Sequence, residues 1–302
     1  MNSTDSLYQI DTTEIIVTDF SPQKAIPKNT LSSSIKEYDP TDDVLFNNIA
    51  HELRTPINVV LGSIQLFEMM GDDLFLLYNR NKLKTYNNLM KQNCYRLLRT
   101  VDNLIDISRI QSENFYLFVA NHDLVSVVKE ITNKSKAYAA RKGLTLKFHT
   151  YNRAIVTAFD EAQLSRALLN LISNAIKFTP RGGSINVSII KKADRVYIGI
   201  KDTGIGIPAD QLDNIFKRFA QVDNTLSRSH EGGGIGLSLA SSIVRLHEGS
   251  ISVKSKLGKG SIFTIELPVK KILDDKSKEN NCSELNLSHG DKVNIELSDL
   301  TT

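Results

Sequence analysis

Apolar residues recur every three or four positions in two segments of the N-terminal half of the chain. The first stripe consists of Ile49, Leu53, Ile57, Val60, Ile64 and Phe67. It predicts a long amphipathic helix that begins near the Pro-Thr-Asp-Asp cluster at residues 40–43 and is broken by Gly71-Asp72-Asp73. The second stripe consists of Met90, Cys94, Leu97, Leu98, Val101, Leu104 and Ile105. Two such helices form an antiparallel hairpin, and a second copy of the chain would complete its core as a dimeric four-helix bundle.

From about residue 115 the pattern changes to short apolar runs mixed with helical periodicity. We predict strands at FYLFVA, LTLKFHT, AIVTAF, SINVSII, VYIGIKD, SISVKSK and SIFTIEL. The segments DEAQLSRALLNLISNAIKF and IGLSLASSIVRLH predict helices, the second one after a glycine-rich region at 203–236. The predicted fold class is therefore α+β, with a helical hairpin followed by an α/β two-layer sandwich.

Changes of composition suggest where these parts begin and end. Residues 1–40 are rich in Ser and Thr and are expected to form a flexible leader. The hairpin is predicted at 41–112, a linker at 113–122 and the α/β domain at 123–270. A polar tail at 271–302 follows, in which the segment VNIEL is a candidate for docking as an added strand.

Charge and cysteine content exclude several classes of function. The 302 residues carry 37 Lys and Arg against 34 Asp and Glu, so the net charge of +3 gives no strong field for nucleic acid. The two cysteines, Cys94 and Cys282, are far apart, which argues against a disulfide framework or a zinc site. No run of about 18 apolar residues and no signal peptide is found, so we expect no transmembrane segment and a cytoplasmic location.

A histidine and a glutamate stand side by side in the first predicted helix. At about 100° per residue, His51 lies roughly 200° from Ile49, on the solvent face together with Thr55. A lone surface histidine is usually only a solvated side chain. Glu52 changes this, because its carboxylate can take a proton from one ring nitrogen and leave the other able to attack an electrophile. Pro56 removes a backbone N–H and is expected to bend the helix beside this pair.

The second helix-borne group of candidates lies in NLISNAIKF. Asn170 and Asn174 are one turn apart on a predicted helix, and Lys177 continues the same face. Amide oxygens suit Mg²⁺, which prefers oxygen ligands together with substrate phosphates, and a lysine suits a phosphate. Exposed polar residues are the usual explanation of two asparagines on a helix, so this group alone is weak evidence.

Two glycine-containing segments strengthen the nucleotide interpretation. In DTGIGIP, Asp202 ends an apolar strand, and Gly204 and Gly206 let the backbone approach a flat ligand closely. In GGGIGLSLA, Gly232, Gly234 and Gly236 come just before a helix, where backbone N–H groups can face a phosphate. Turns are the ordinary reason for either motif alone, but the order and spacing of the three motifs favour a nucleotide site.

Five segments together resemble the sequence boxes of sensor histidine kinases of two-component systems. HELRTP, NLISNAIKFTP, DTGIGIP, IFKRF and GGGIGLSL are similar to the H, N, G1, F and G2 boxes, in that order, over residues 40 to 270. The resemblance implies a dimerisation and histidine-phosphotransfer hairpin followed by a catalytic ATP-binding domain of the Bergerat fold, which gyrase and Hsp90 share.

The same resemblance implies a role for each candidate residue. His51 would accept the γ-phosphoryl group of ATP, Glu52 would act as its general base, and Thr55 would help to orient water in dephosphorylation of the partner. Asn174 would hold Mg²⁺, with Asn170 and Lys177 assisting at metal and phosphates, and Asp202 would bind the adenine amino group. The remaining members of the expected ATP site are Gly204, Gly206, Gly232, Gly234 and Gly236.

The implied cofactors are ATP and Mg²⁺, and the implied partners are a second copy of the chain and the receiver domain of a separate response regulator. A mobile lid is expected at 208–233, with Phe216 and Phe219 either anchoring it or serving as core aromatics. His230 either approaches the phosphates or is an exposed lid residue. No role is assigned to His122, His149, His247 or His289.

Three other functional hypotheses remain compatible with the sequence. A Bergerat-fold ATPase or serine kinase would share the boxes from Asn170 onward but would not need HELRTP on a hairpin. A non-catalytic scaffold would have a degenerate site, and a partner phosphatase would rely on Thr55. The input signal would reach the chain through an upstream sensor protein or through the leader, or the chain derives from a longer one that has lost its input domain.

Overall fold

The computed structural model describes residues 40–69, 80–217 and 234–273, together with residues 295, 297 and 298. Two long helices come first, α1 at Pro40–Met69 and α2 at Arg80–Gln111. The ring of Phe67, near the end of α1, meets that of Tyr86, near the start of α2, edge to face at 6.0 Å. The two helices therefore run antiparallel, as predicted, and α1 continues through Pro56.

An α/β domain follows the hairpin. Its helices are α3 at Leu124–Arg141, α4 at Glu161–Phe178 and α5 at Gly236–Leu246, with a short 3₁₀ turn at Ala209–Gln211. Its strands are β1 at Ala120–Asp123, β2 at Thr145–Thr150, β3 at Val156–Phe159, β4 at Ser184–Lys192, β5 at Arg195–Asp202, β6 at Ser250–Lys256 and β7 at Gly260–Pro268.

The main sheet is mixed. Its strand order is β2-β4-β5-β7-β6, in which β2 pairs with β4 in parallel and the other neighbours are antiparallel. Along β4 and β5, buried and half-buried residues alternate, so one face of the sheet is covered. The buried side chains of α3, α4 and α5 belong to the same core cluster as those of the sheet, and the domain is therefore a two-layer sandwich.

A smaller antiparallel pair, β1 with β3, leads into α4. Asp160, which follows β3, is buried and caps α4 by accepting a hydrogen bond from the Gln163 N–H at 3.0 Å. Its second oxygen accepts from the Phe118 N–H at 2.8 Å, and its own N–H donates to His247 Nε2 at 3.0 Å. One carboxylate thus fixes the start of α4 against the segment before β1, and its backbone ties α4 to the end of α5.

The structure differs from the sequence-based expectations in three places. The strand predicted for FYLFVA is wrong, because residues 115–119 have no regular structure and Phe118 bonds to the Asp160 side chain instead of a strand. The helix α3 was not predicted. Of the segment VNIEL the structure describes only Ile295 and Leu297, and neither is in a strand: Ile295 has helical backbone, and Leu297 is fully buried in the core of the α/β domain. The domain boundaries stay predictions; the elements nearest them end at Gln111 and Pro268 and begin at Ala120.

Candidate ATP-binding site and phospho-acceptor helix

Asp202 lies at the end of β5 and is almost fully buried. Its Oδ1 accepts hydrogen bonds from the backbone N–H groups of Gly204 at 2.8 Å and of Ser261 at 3.2 Å. Burial raises the pKa of the Asp202 carboxyl, and the two backbone donors offset part of that rise. Since both donors meet Oδ1, the second oxygen, Oδ2, is left outside this pair of bonds and can accept from a ligand amino group.

The glycines around Asp202 stand where neighbouring backbone segments approach each other closely. A Cβ on Gly204 would lie 2.7 Å from both Asp202 Oδ1 and the Phe178 carbonyl oxygen. Gly260 has a φ of +96°, and a Cβ there would lie 2.1 Å from the carbonyl oxygen of Asp202. Neither position can carry a side chain without moving backbone, so the loop after β5 is pressed against the start of β7.

The loop after β5 is also bonded to the end of α4 and to the turn between β6 and β7. The Ile205 N–H donates to the Phe178 carbonyl at 3.2 Å, and the Gly258 N–H donates to the Ile205 carbonyl at 2.6 Å. At Gly206 the φ is +71°, and an added Cβ would lie 2.2 Å from the Lys256 carbonyl oxygen. The predicted neighbours of Asp202, Gly204 and Gly206, are thus brought together with it.

Helix α4 carries the predicted amide and lysine side chains. Asn170 is only 1% exposed, whereas Asn174 and Lys177 are half-buried. Asn170 Nδ2 donates to the Arg166 carbonyl at 3.1 Å, and its Oδ1 accepts from Arg99 Nη2 of α2 at 2.8 Å. Eight residues separate Asn170 from Phe178, or about 12 Å along the helix axis. Asp202 and the loop after it therefore lie beside the C-terminal end of α4, and Asn170 lies about two turns nearer the start of the helix.

The C-terminal end of α4 is capped by a residue that the sequence did not suggest. Lys142, just after α3, donates through Nζ to the carbonyl oxygens of Ile176 at 2.9 Å and Lys177 at 2.5 Å. A cation suits this position because the last carbonyls of a helix carry partial negative charge. Burial lowers the pKa of Lys142. This contact fixes the part of α4 that carries Lys177.

The start of α5 lies directly against Asn170. A Cβ on Gly236, the first residue of α5, would lie 2.7 Å from Asn170 Oδ1. Gly234 has a φ of +64°, which only glycine adopts readily. Both predicted glycines thus stand where α5 approaches α4. Gly232, Phe219 and His230 lie outside the described residues, as does most of the predicted lid.

The donors available for a magnesium ion are amide oxygens. In the part of the chain that the structure describes, no group of three or more His, Cys, Asp or Glu side chains could hold a metal. Asn170 Oδ1 already accepts a hydrogen bond from a guanidinium, whereas Asn174 is half-buried one turn away. This donor set fits Mg²⁺ only when phosphates and waters supply most of the ligands, which is how Mg²⁺ is usually held beside nucleotides.

The predicted nucleophile lies on the hairpin. His51 is exposed on α1, as the helical angles predicted, and Glu52 is half-buried beside it. The Thr55 hydroxyl donates to the His51 carbonyl at 3.1 Å, one turn back along the helix. Pro56 is buried and cannot supply the N–H that the Glu52 carbonyl would otherwise accept. In the described contacts between the hairpin and α4, the hairpin residues are Arg99, Asn103 and Asp106 of α2, and not His51.

Two comparisons with family models match most of the described chain. Residues 43–113 match the His Kinase A (phospho-acceptor) domain. Residues 159–271 match the Histidine kinase-, DNA gyrase B-, and HSP90-like ATPase domain. The chain belongs to the histidine kinase family. The resemblance found in the sequence, and the fold class it implied, are confirmed for a helical hairpin followed by an ATPase-type sandwich.

Curated relatives carry the same description. Hybrid signal transduction histidine kinase D of Dictyostelium discoideum is 33% identical over 265 residues, which are 86% of this chain and 17% of the relative. Histidine kinase P4 of Formosa agariphila is 32% identical over 271 residues, 86% of this chain and 19% of the relative. Sensor histidine kinase RppB of Synechocystis sp. is 32% identical over 225 residues, 74% of this chain and 48% of the relative. The chain spans less than half of the length of each.

Solved structures agree on the fold. Full-length ShkA in complex with AMPPNP superposes with a TM-score of 0.56 at 24% identity, covering 76% of this chain and 46% of that one. Histidine kinase AdeS of Acinetobacter baumannii gives 0.55 at 22% identity, covering 72% and 98%. ThkA in complex with the response regulator protein TrrA gives 0.54 at 21% identity, covering 75% and 61%. None of the described helices is long and apolar enough to cross a membrane.

Several residues that shape the site were not found in the sequence. Arg99, Asn103 and Asp106 form a polar row at helical spacing on α2, which hydropathy cannot tell from a solvated face. The packing of Phe216 was left open; its ring meets Phe263 edge to face at 6.4 Å, so it is a core aromatic in this structure. His247 bonds to Ile243 O and to the Asp160 N–H, which gives this unassigned histidine a structural place.

Proposed function

We propose that the chain is an ATP-dependent protein histidine kinase that phosphorylates its own His51 and passes the phosphoryl group to an aspartate of a separate response regulator. The observation that carries this proposal is the exposed His51-Glu52 pair on a phospho-acceptor hairpin, in the same chain as an ATPase-type domain. An ATPase or a serine kinase of the same fold has no need of the hairpin histidine.

The geometry of the α/β domain supports one orientation of ATP. The adenine amino group would donate to Asp202 Oδ2 beside Gly204, and the phosphates would point along α4 toward Asn170. Lys177 and the amide of Asn174 lie between these ends, and Gly234 and Gly236 bring the start of α5 to the phosphate end. Mg²⁺, held by Asn174 together with the phosphates, would supply charge neutralisation there.

The transfer step places few chemical demands on the protein. One ring nitrogen of His51 would form a bond to the γ-phosphorus, the bond from that phosphorus to the β,γ-bridging oxygen would break, and ADP would leave. Glu52 would take the proton from the other ring nitrogen and so keep the attacking nitrogen unprotonated. Positioning in line then provides most of the rate enhancement.

Domain movement belongs to this mechanism. The hydrogen bonds described here join the α/β domain to α2, whereas His51 lies on α1. The γ-phosphoryl group and His51 must therefore be brought together by a rearrangement of the hairpin and the α/β domain. The predicted linker at 113–122 is the segment through which such a movement would occur.

Partners are proposed on three grounds. A solved relative, ThkA, is described in complex with the response regulator protein TrrA, which supports a receiver domain as the phosphoryl acceptor. Exposed apolar side chains on both hairpin helices, among them Leu61 and Ile105, support a homodimer that covers them. An upstream sensor protein would provide the signal.

Labelling with γ-labelled ATP and Mg²⁺ tests the proposal. The wild-type chain is expected to acquire a label that acid removes and alkali does not, as expected of a phosphohistidine. His51→Gln and Asn174→Ala are expected to acquire none, whereas His149→Gln, an exposed histidine on β2, serves as the control that keeps the label. Hydrolysis of ATP without any label would favour the ATPase reading, and label in His51→Gln would mean that another residue is the nucleophile.

Dephosphorylation of the response regulator is the second activity proposed, with Thr55 orienting the water. In the structure the Thr55 hydroxyl donates to the His51 carbonyl, so it stays one turn from the histidine. Thr55→Ala is expected to keep the label on His51 and to slow loss of phosphate from a phosphorylated regulator. An equal loss of both activities would contradict a role specific to dephosphorylation.

A further inference from the structure

Two arginines cross between the hairpin and the α/β domain in opposite directions. Arg99 of α2 donates through Nη2 to Oδ1 of Asn170 on α4 at 2.8 Å. Arg166 of α4 donates through Nη2 to Oδ1 of Asn103 on α2 at 2.7 Å and pairs through Nη1 with Asp106. Each helix therefore contributes an arginine and receives one.

These contacts are shielded from solvent. Asn170 is 1% exposed, and Asn103 and Asp106 are also buried. The side chains of Arg166 and Asp106 are 15% and 10% exposed. Ion pairs and charged hydrogen bonds in such surroundings are much less screened than those at the surface, and removal of one partner leaves a buried charge without compensation.

The Arg99 guanidinium contacts the middle of α4, at Asn170, toward which the phosphates of ATP are proposed to point. Gly236, at the start of α5, is so close that an added Cβ would lie 2.7 Å from Asn170 Oδ1 and 4.0 Å from Arg99 Nη2. Asn170 is thus covered by α2 on one side and by the start of α5 on another. Because Asn170 is 1% exposed, a nucleotide reaches it only when α2 or the start of α5 moves.

We infer that Arg99 and Arg166 form a latch that holds α2 over the phosphate end of the nucleotide site and competes with Mg²⁺-ATP. The inference rests on the proposed function, since it concerns the same site. The competition follows from a shared group: while Asn170 Oδ1 accepts a hydrogen bond from Arg99, it is not available to assist at the metal or the phosphates. It also follows from space, because α2 covers Asn170.

Binding of Mg²⁺-ATP and release of the latch are then coupled. When only a fraction of the molecules is unlatched, the apparent dissociation constant for Mg²⁺-ATP equals the intrinsic constant divided by that fraction. A signal that moves α2 would raise the affinity for nucleotide without touching the nucleotide. The latch would in this way join the input side of the hairpin to the first step of catalysis.

Equilibrium binding of AMPPNP with Mg²⁺ to the full chain tests the latch. Arg99→Ala is expected to bind about fivefold to tenfold more tightly than the wild type, if the latched form makes up roughly nine-tenths of the molecules. Arg109→Ala is the matched control, because Arg109 is an exposed arginine on the same helix, and its affinity is expected to equal that of the wild type. Unchanged or weaker binding by Arg99→Ala would overturn the latch, and weaker binding would instead make Arg99 a nucleotide contact.

A second variant keeps the test decisive if Arg99→Ala folds poorly. Asp106→Asn weakens the other half of the latch, although its amide oxygen can still accept a hydrogen bond from Arg166. It is expected to tighten binding of AMPPNP by about twofold to threefold. Affinity at the wild-type level in Asp106→Asn, with an unchanged unfolding midpoint, would contradict the inference. Asp202→Asn separates the two proposals. If Asp202→Asn binds AMPPNP as well as the wild type does, the proposed nucleotide site is wrong. If binding depends on Asp202 but is unchanged in the Arg99 and Asp106 variants, only the latch is wrong.

Discussion

The carboxyl of Asp202 is held in an environment that opposes its charge. It is buried at the end of β5, and burial raises its pKa above the ordinary value of 3.8. The N–H groups of Gly204 and Ser261 both bond to Oδ1 and partly compensate. A buried carboxylate with one oxygen fixed and the other available to a ligand suits recognition of an amino group, and it lowers the stability of the empty domain.

Replacement of Asp202 by Asn tests this environment through the pH dependence of unfolding. The folded protein binds the Asp202 proton more tightly than the unfolded chain does, so its contribution to stability is present at low pH. That contribution is lost as pH rises from 3.8 through the higher folded pKa. Relative to Asp202→Asn, the wild type should therefore gain free energy of unfolding as pH is lowered through this window. Urea unfolding of both proteins between about pH 4 and pH 7 measures it.

The free energy of unfolding of the wild type, taken relative to that of Asp202→Asn, should fall as pH rises. If it stays constant or increases with pH, the pKa of Asp202 is not raised. Lys201→Gln, next to Asp202 but exposed, is the control for a general change of charge.

The candidate residues that could be predicted share one property. His51, Asn174 and Asp202 stand in motifs whose spacing is local, so helix and strand periodicity together with the family resemblance locate them. Arg99 could not be predicted, because its role depends on a contact with Asn170, 71 residues away. A polar side chain on a helix looks the same in sequence whether it meets water or another helix.

The loop after β5 and the turn between β6 and β7 that contacts it each need a glycine, for different reasons. Gly206 and Gly258 both have positive φ, +71° and +73°. At Gly206 an added Cβ would also lie 2.2 Å from the Lys256 carbonyl oxygen, whereas at Gly258 nothing lies within 4 Å. The two positions therefore separate backbone strain from close approach.

Alanine at each of these glycines gives a matched pair. Gly258→Ala should cost only the strain of a left-handed residue, about 1–2 kcal/mol. Gly206→Ala should cost clearly more and weaken ATP binding, because the loop must move away from the turn between β6 and β7. Urea unfolding and AMPPNP binding of both variants check this. Equal stability losses in the two variants would mean that the close approach at Gly206 has no energetic consequence.

Periodicity predicted most of the helices and strands, and its failures have physical reasons. The helix α3 was missed because polar residues, Thr132 and Ser135, are fully buried on it and bond to backbone carbonyls one turn back, which interrupts the apolar stripe. FYLFVA has the composition of a strand, yet Tyr116 and Phe118 are largely exposed, and no described strand pairs with residues 115–119. Propensity alone cannot show whether a pairing partner exists.

The hairpin leaves apolar side chains in solvent when the chain is alone. Leu61, at 50% exposure, and Ile105, at 45%, are examples from its two helices. A monomeric protein rarely exposes a continuous apolar stripe, so a second hairpin is the expected cover. Sequence periodicity indicated that a partner is needed, but it cannot show how α2 is shared between that partner and the α/β domain.

Leu61→Glu is therefore expected to convert a dimer into a monomer, because a charge would be buried between the hairpins. Sedimentation equilibrium of the full chain measures the change. Leu273→Glu, at a fully exposed leucine outside the hairpin, should leave the dimer intact. A wild-type chain that sediments as a monomer at concentrations where it becomes labelled would contradict the dimer.

Location of the phosphoryl group after reaction with Mg²⁺-ATP is the most direct test of the account. Digestion with trypsin at neutral to alkaline pH releases the peptide spanning residues 37–54, in which His51 is the only histidine. Mass spectrometry of the digest, kept from acid, should find the added phosphoryl group on this peptide, and fragmentation should place it on His51. A phosphoryl group on a serine, threonine or tyrosine, or on a peptide without His51, would contradict the claim that this chain is a histidine kinase acting through His51.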